Sequence, residues 1–199
     1  MLFYFSLVIL ILTIGASLFW RRSFGNLRIT NLVRIYEYIF LIVIVLIFIL
    51  LFYQSWQQYQ FWSQNEVSQY LLPPHQSINY FIFYAIARFF APYLISLAVA
   101  ILFLFSAKAL NKKYQERFFK PEEPYFGALA IFLVSHPGWL FYVVFIISAY
   151  LLIHFYSLLI THYSLQRISL YYLWIPTAIF VIIIQRWLEL LPLWSLLKI

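Results

Sequence analysis

Long apolar runs separated by short polar stretches set the pattern of this chain. Leu2–Trp20 holds 19 residues without a charge, close to the roughly 20 residues of helix that cross a bilayer core of about 30 Å. No basic segment precedes it and no small-residue cleavage site ends it, so it reads as an uncleaved span. The second run, 35–53, is rich in Ile, Val and Leu, and its length selects a spanning helix over a buried strand. The third, 78–107, exceeds one span. Arg88 divides it, leaving Phe89–Ala107 as an uncharged core and Asn79–Ala87 in or above the interface.

The run from Tyr125 to Ile160 is too long for one straight span, and His136-Pro137-Gly138 interrupts it with a helix-breaking pair. As a helix, 125–135 reaches about 16 Å, half a hydrocarbon core. The pattern therefore predicts a short or re-entrant helix followed by a full span at 138–160. The alternative is one continuous, tilted helix kinked at Pro137. The two differ in which side of the membrane holds Thr161–Ser169. A helix that stops at mid-depth needs its turn covered by neighbouring spans or a thinned bilayer, because lipid offers no partner to free backbone groups. Its end is the expected place for a polar pocket. The last run, 170–184, contains Pro176, and 185–199, with Arg186, Glu189, Trp187 and Trp194, suits an interfacial tail.

Composition changes this picture only by removing alternatives. The chain has no Asp; its 6 acidic residues are all Glu, and charged residues make up 10% against 65% hydrophobic. Soluble domains carry about 25% charged residues, so lipid must be the solvent over most of this surface. The formal charge of +7 arises in loops: four Lys or Arg in 21–34, none in the Gln-rich 54–77, five in 108–123. Placed there, they serve as topology signals and headgroup contacts rather than as a nucleic-acid footprint. The positive-inside rule puts 21–34 and 108–123 in the cytoplasm, and the N-terminus and 54–77 outside. With Cys 0 there is no disulfide partner, thiolate nucleophile or Cys metal site. The expected fold is all-α: a single domain, 1–199, forming a polytopic transmembrane helix bundle in the cell membrane. It has about six hydrophobic helices, one of them short.

Few residues offer chemistry. Glu122 and Glu123, between Pro121 and Pro124, form the densest polar feature beside a span. They could bind substrate or move a proton at the membrane surface; capping of the helix that starts near Tyr125, with charge balance for Lys120 and Arg117, explains them as well. Arg88 is either a functional intramembrane charge or a side chain reaching outer headgroups. Glu37 lies three residues after Arg34, where an ion pair at the interface accounts for it. Of His75, His136, His154 and His162, only His154 falls inside a clear span, and no spacing makes a metal site. Gly15-Ala16-Ser17 lacks the paired His and acid of a nucleophile turn and is expected to pack against another helix. No cofactor site is expected.

Three segments carry a resemblance: Arg22–Asn31 (RSFGNLRITN), Glu122–Ser135 (EEPYFGALAIFLVS) and Arg167–Ile175 (RISLYYLWI). In helix lengths and loops, residues 21–184 resemble the prepilin leader peptidases, intramembrane aspartyl proteases of type IV pilus systems. Ile29-Thr30-Asn31 stands where that family has Ile-Pro-Asn. Glu122–Ser135 takes the place of the Gly-x-Gly-Asp helix. Those enzymes depend on two aspartates sharing a water and a proton. Here the first position falls near Ser23 and the second near Glu122 or Glu123, and one Glu makes no dyad. The resemblance thus implies a non-catalytic scaffold or accessory subunit, a pseudoenzyme that binds another membrane protein, with no catalytic residue carried over. The other function class is a membrane enzyme or small transporter subunit acting on a lipid or small substrate. It would use Glu122 and Glu123, or Arg88 and His154. Convergence of Arg88, His154 and Glu37 on one cavity would favour it.

Overall fold

The structure is a computed structural model that describes residues 2–23, 29–115, 119–161 and 170–198. Among the described residues all regular structure is helical. Helix α1 spans Leu2–Ser23, α2 Ile29–Gln64, α3 Ile78–Ala85, α4 Ala91–Lys113, α5 Glu123–Val134, α6 Gly138–Thr161, α7 Trp174–Leu188 and α8 Pro192–Leu197. Short 3-10 turns occupy Ser68–Leu71 and Leu170–Tyr172. Among the described residues, 4 helical segments are long and apolar enough to cross a membrane: Val33–Gln64, Ile78–Lys113, Gly138–Ser157 and Leu170–Leu188. Leu2–Ser17 and Glu123–Val134 are shorter apolar helices.

Helix α2 does not end with its apolar run at Tyr53. It continues through the Gln-rich stretch to Gln64 because aromatic side chains there find a partner. Trp62, with Tyr59, packs on Phe81 of α3 and, through Tyr80 and Tyr84, forms a satellite core with Leu72 and Ala85. A 36-residue helix is about 54 Å long, more than a hydrocarbon core of about 30 Å requires.

Helices α3 and α4 are one rod joined by a π-helical turn, Ile86–Phe90, in which the Ala91 amide bonds to Ile86 O. Pro92 is the cause that the chemistry supplies. Its nitrogen has no hydrogen to donate to the Arg88 carbonyl and its ring would clash with it, and a widened turn relieves both. Pro176, by contrast, sits in the first turn of α7, where amides have no helical partner to lose.

Helix α5 is the centre of the molecule. Every residue from Glu123 to Val134 is buried. A helix apolar on all sides needs enclosure, and α4, α7, α6, α2 and α1 provide it. Ser135 ends α5 at φ 61°, ψ 172°, a region that costs a residue with a Cβ about 1–3 kcal/mol. The chain then reverses: the His136 amide bonds to Pro92 O at 3.2 Å, tying the turn to α4. The turn is thus covered by protein, with Pro137 and Gly138 buried.

Ring contacts fix the direction of the remaining helices. Trp174, at the start of α7, meets Phe103 and Phe119 near the beginning of α5, whereas Gln185 and Glu189 at its end share a cavity with Ser135. Along α6, Phe141 stacks on Trp194 and Phe145 meets Phe180, so α6 runs antiparallel to α7. The chain therefore turns back after the short helix instead of continuing through. Outward faces are apolar, with Ile42 57%, Phe105 68% and Leu152 69% exposed, a surface compatible with lipid as its surroundings.

Candidate functional site

The polar residues gather at the two ends of α5. At its start, Lys108 on α4 donates from Nζ to the Tyr125 hydroxyl at 2.7 Å. Asn111 clasps the connecting loop, with Nδ2 donating to Phe119 O at 2.6 Å and Oδ1 accepting from Phe119 N at 2.9 Å. Lys120 lies over the Tyr171 ring at 5.1 Å, and Tyr171 in turn packs edge-on to Phe126. Glu122 precedes α5 and Glu123 opens it, both buried, where their charge complements the amides of the first turn. The Glu123 amide donates to Lys120 O, and the Tyr125 amide to Glu122 O. This is a closed, well-bonded helix entry.

The other sequence candidates do not join Glu122 and Glu123. Tyr36 packs on Phe126 at 4.7 Å between ring centroids. Glu37, the next residue on α2, is turned about 100° away and exposed. His154 lies in the outward-facing second half of α6, its ring stacked on Tyr150 at 6.1 Å. Arg88 is at the opposite end, in the π-helical turn. Arg88, His154 and Glu37 therefore stand apart. No group of three His, Cys, Asp or Glu that could hold a metal occurs among the described residues. Ser17 bonds back to Ile14 O at 2.8 Å, and a Cβ on Gly15 would meet nothing within 4 Å. Within Gly15-Ala16-Ser17, Gly15 is on an outward face and Ser17 is buried, 5% exposed. Glu116, Arg117, His162, Arg167 and most of the 161–169 loop lie outside the described residues. So do the side chains from Leu18 to Leu32, among them Ser23 and the arginines before Val33.

A polar bowl opens at the far end of α5. Two adjoining cavities, of about 190 Å³ and 320 Å³, share Leu2, Tyr93, Ser135, Gln185 and Glu189. Gln54, Arg88, His136 and Lys198 line the first, and Ser6 and Arg186 the second. His136 is held on both ring nitrogens. Nδ1 accepts from Trp139 Nε1 at 3.2 Å, which leaves Nε2 to donate to Leu197 O at 2.7 Å. That bond, with the Phe141–Trp194 stack at 5.6 Å, straps the C-terminal segment over the turn. Within the tail Trp194 is packed inside, 5% exposed.

Sequence reasoning expected a pocket here but missed most of its walls. One signal was available: Gln185 and Glu189 are spaced i, i+4 on one helix face, and Gln185 Nε2 donates to Glu189 Oε1 at 3.2 Å. Gln54 and Tyr93 gave none, because only the packing of α2 on the π-helical turn, Phe48 and Phe52 against Phe90, brings them to the rim. No protein-family model matches the chain, no curated protein matches it, and no solved structure matches it.

Proposed function

We propose that this chain is a multi-pass integral membrane protein acting as a non-catalytic scaffold or accessory subunit for another membrane protein. In layout it is a prepilin-peptidase-like bundle without the aspartate pair. The observation that carries the reading is the separation of its polar groups. Glu122 and Glu123 are committed to the entry of α5, while the bowl lies at the other end of a 12-residue helix, about 18 Å away. Catalysis needs an acid, a base and room for substrate within hydrogen-bond reach. Glu122 and Glu123, at the family's second aspartate position, do not line the bowl. The orientation proposed from the basic residues puts the α5 entry in the cytoplasm and the bowl outside.

The second half of α6 suits the docking role. Ile147, Leu151, Leu152, Phe155 and Tyr156 are all exposed around it, an apolar surface that a neighbouring span can cover. The second reading, a small transporter or lipid-acting protein, draws on the bowl, though His154 stands outside it.

The non-catalytic reading is tested with purified protein and a type IV prepilin in liposomes. The leader is expected to remain uncleaved. Reproducible cleavage at the leader junction, abolished by Glu123→Gln, would refute the reading.

A further inference from the structure

We propose that the bowl at the far end of α5 is a binding site for a phosphate-bearing anionic headgroup. Three formal cations line it, Arg88, Arg186 and Lys198, against one carboxylate, Glu189. The carboxylate already accepts a hydrogen bond from Gln185. The bowl therefore carries net positive charge at a membrane surface, the arrangement that attracts anionic headgroups between spans. The π-helical turn that Pro92 imposes re-aims Arg88, and such single-turn irregularities recur at functional sites.

Ser6, 2% exposed, lines the bowl beside Tyr93. Gln54, Gln185 and Ser135 add neutral polar groups around the same space. Leu2, Leu133 and Ile182 form the apolar side of the bowl. Beyond Leu2, Tyr4, Val8, Ile11 and Leu12 continue an exposed apolar face along α1, a track on which an acyl chain can lie while its headgroup occupies the bowl. A lipid and a free phosphate share the recognised group and differ only in this chain.

The full-length protein in nanodiscs of equal phosphatidylglycerol and phosphatidylcholine, released into native mass spectrometry, tests the site. Preferential retention of phosphatidylglycerol is expected. Arg88→Gln with Arg186→Gln should lower that preference about thirty-fold, at about 1 kcal/mol per basic residue. Arg34→Gln, exposed near the other end of α2, should not change it. Lys198→Gln, in the terminal segment, gives an independent loss of smaller size should the double variant fail to fold. Loss of bound lipid on adding millimolar inorganic phosphate would support the site as a taker of the phosphate group itself. Retention through that challenge would support it as a lipid site. Equal retention of the two lipids, or a preference indifferent to the Arg88, Arg186 and Lys198 substitutions, overturns the proposal.

Discussion

Gly127→Leu is expected to destabilise the bundle more than any other single apolar substitution, lowering the melting temperature by about 10 °C. A Cβ at this position would stand 2.5 Å from Phe103 Cε1, 2.8 Å from Cζ and 3.0 Å from Trp174 Cζ3. These rings cannot swing aside, because Phe103 and Trp174 already meet edge-on at 5.4 Å and Phe119 packs behind Trp174 at 6.1 Å. Nor can α5 shift, since each of its residues is buried against a neighbour. Overpacking of a filled core costs about 3 kcal/mol at its upper end, and a chain of this size loses about 2–4 °C per kcal/mol. Gly15→Leu is the matched control. Its Cβ meets nothing within 4 Å, so the same substitution should leave the melting temperature nearly unchanged. Thermal unfolding followed by size-exclusion in detergent measures both. Equal effects at the two positions would mean that α5 is not tightly enclosed.

Glu123→Lys is expected to be nearly as damaging. Glu123 is only 2% exposed and begins α5, where free amides favour a negative charge. Lysine would put a cation in that place, at the same helix entry as Lys108 and Lys120. Breaking a buried charge arrangement costs about 3–5 kcal/mol. Glu37→Lys changes the same charge on an exposed position of α2, where substitutions stay within about 0.5 kcal/mol. The recovery of monodisperse protein should collapse for Glu123→Lys and persist for Glu37→Lys. Glu123→Gln should fall between them, because it keeps the shape and an acceptor oxygen.

What could be read from the chain followed from physics that acts locally. Uninterrupted apolar runs and the His136-Pro137-Gly138 break were enough for the helical bundle with one short member, because lipid leaves the backbone only helices and closed barrels, and barrel strands are much shorter than these runs. The extension of α2 to Gln64 was hidden. Its polar glutamines resemble a loop, and only the packing of Trp62 on Phe81 makes a helix the better state. The π-helical turn had a signal in Ala91-Pro92, as did Gly127, a lone glycine inside an apolar helix, which marks close approach. The bowl was legible as a location, from the depth at which α5 must end, but not as a set of residues. Its walls come from α1, α2, α4, α7 and α8, and no local pattern says that Gln54, Tyr93 and Glu189 meet.

The chain reverses at Ser135–Gly138. This puts the start of α7 at the same end of the bundle as the start of α5, so residues 162–169 are expected on the side of the Lys108–Glu123 connection and opposite the Gln-rich segment. The absence of cysteine allows single reporters at Gln58, Lys112 and Ser164, labelled with an impermeant thiol reagent in intact cells. Gln58 should label at once, and Lys112 and Ser164 only after permeabilisation. Ser164 labelling together with Gln58, while Lys112 stays protected, would mean one continuous helix from Tyr125 to Ile160 and would contradict the fold described above.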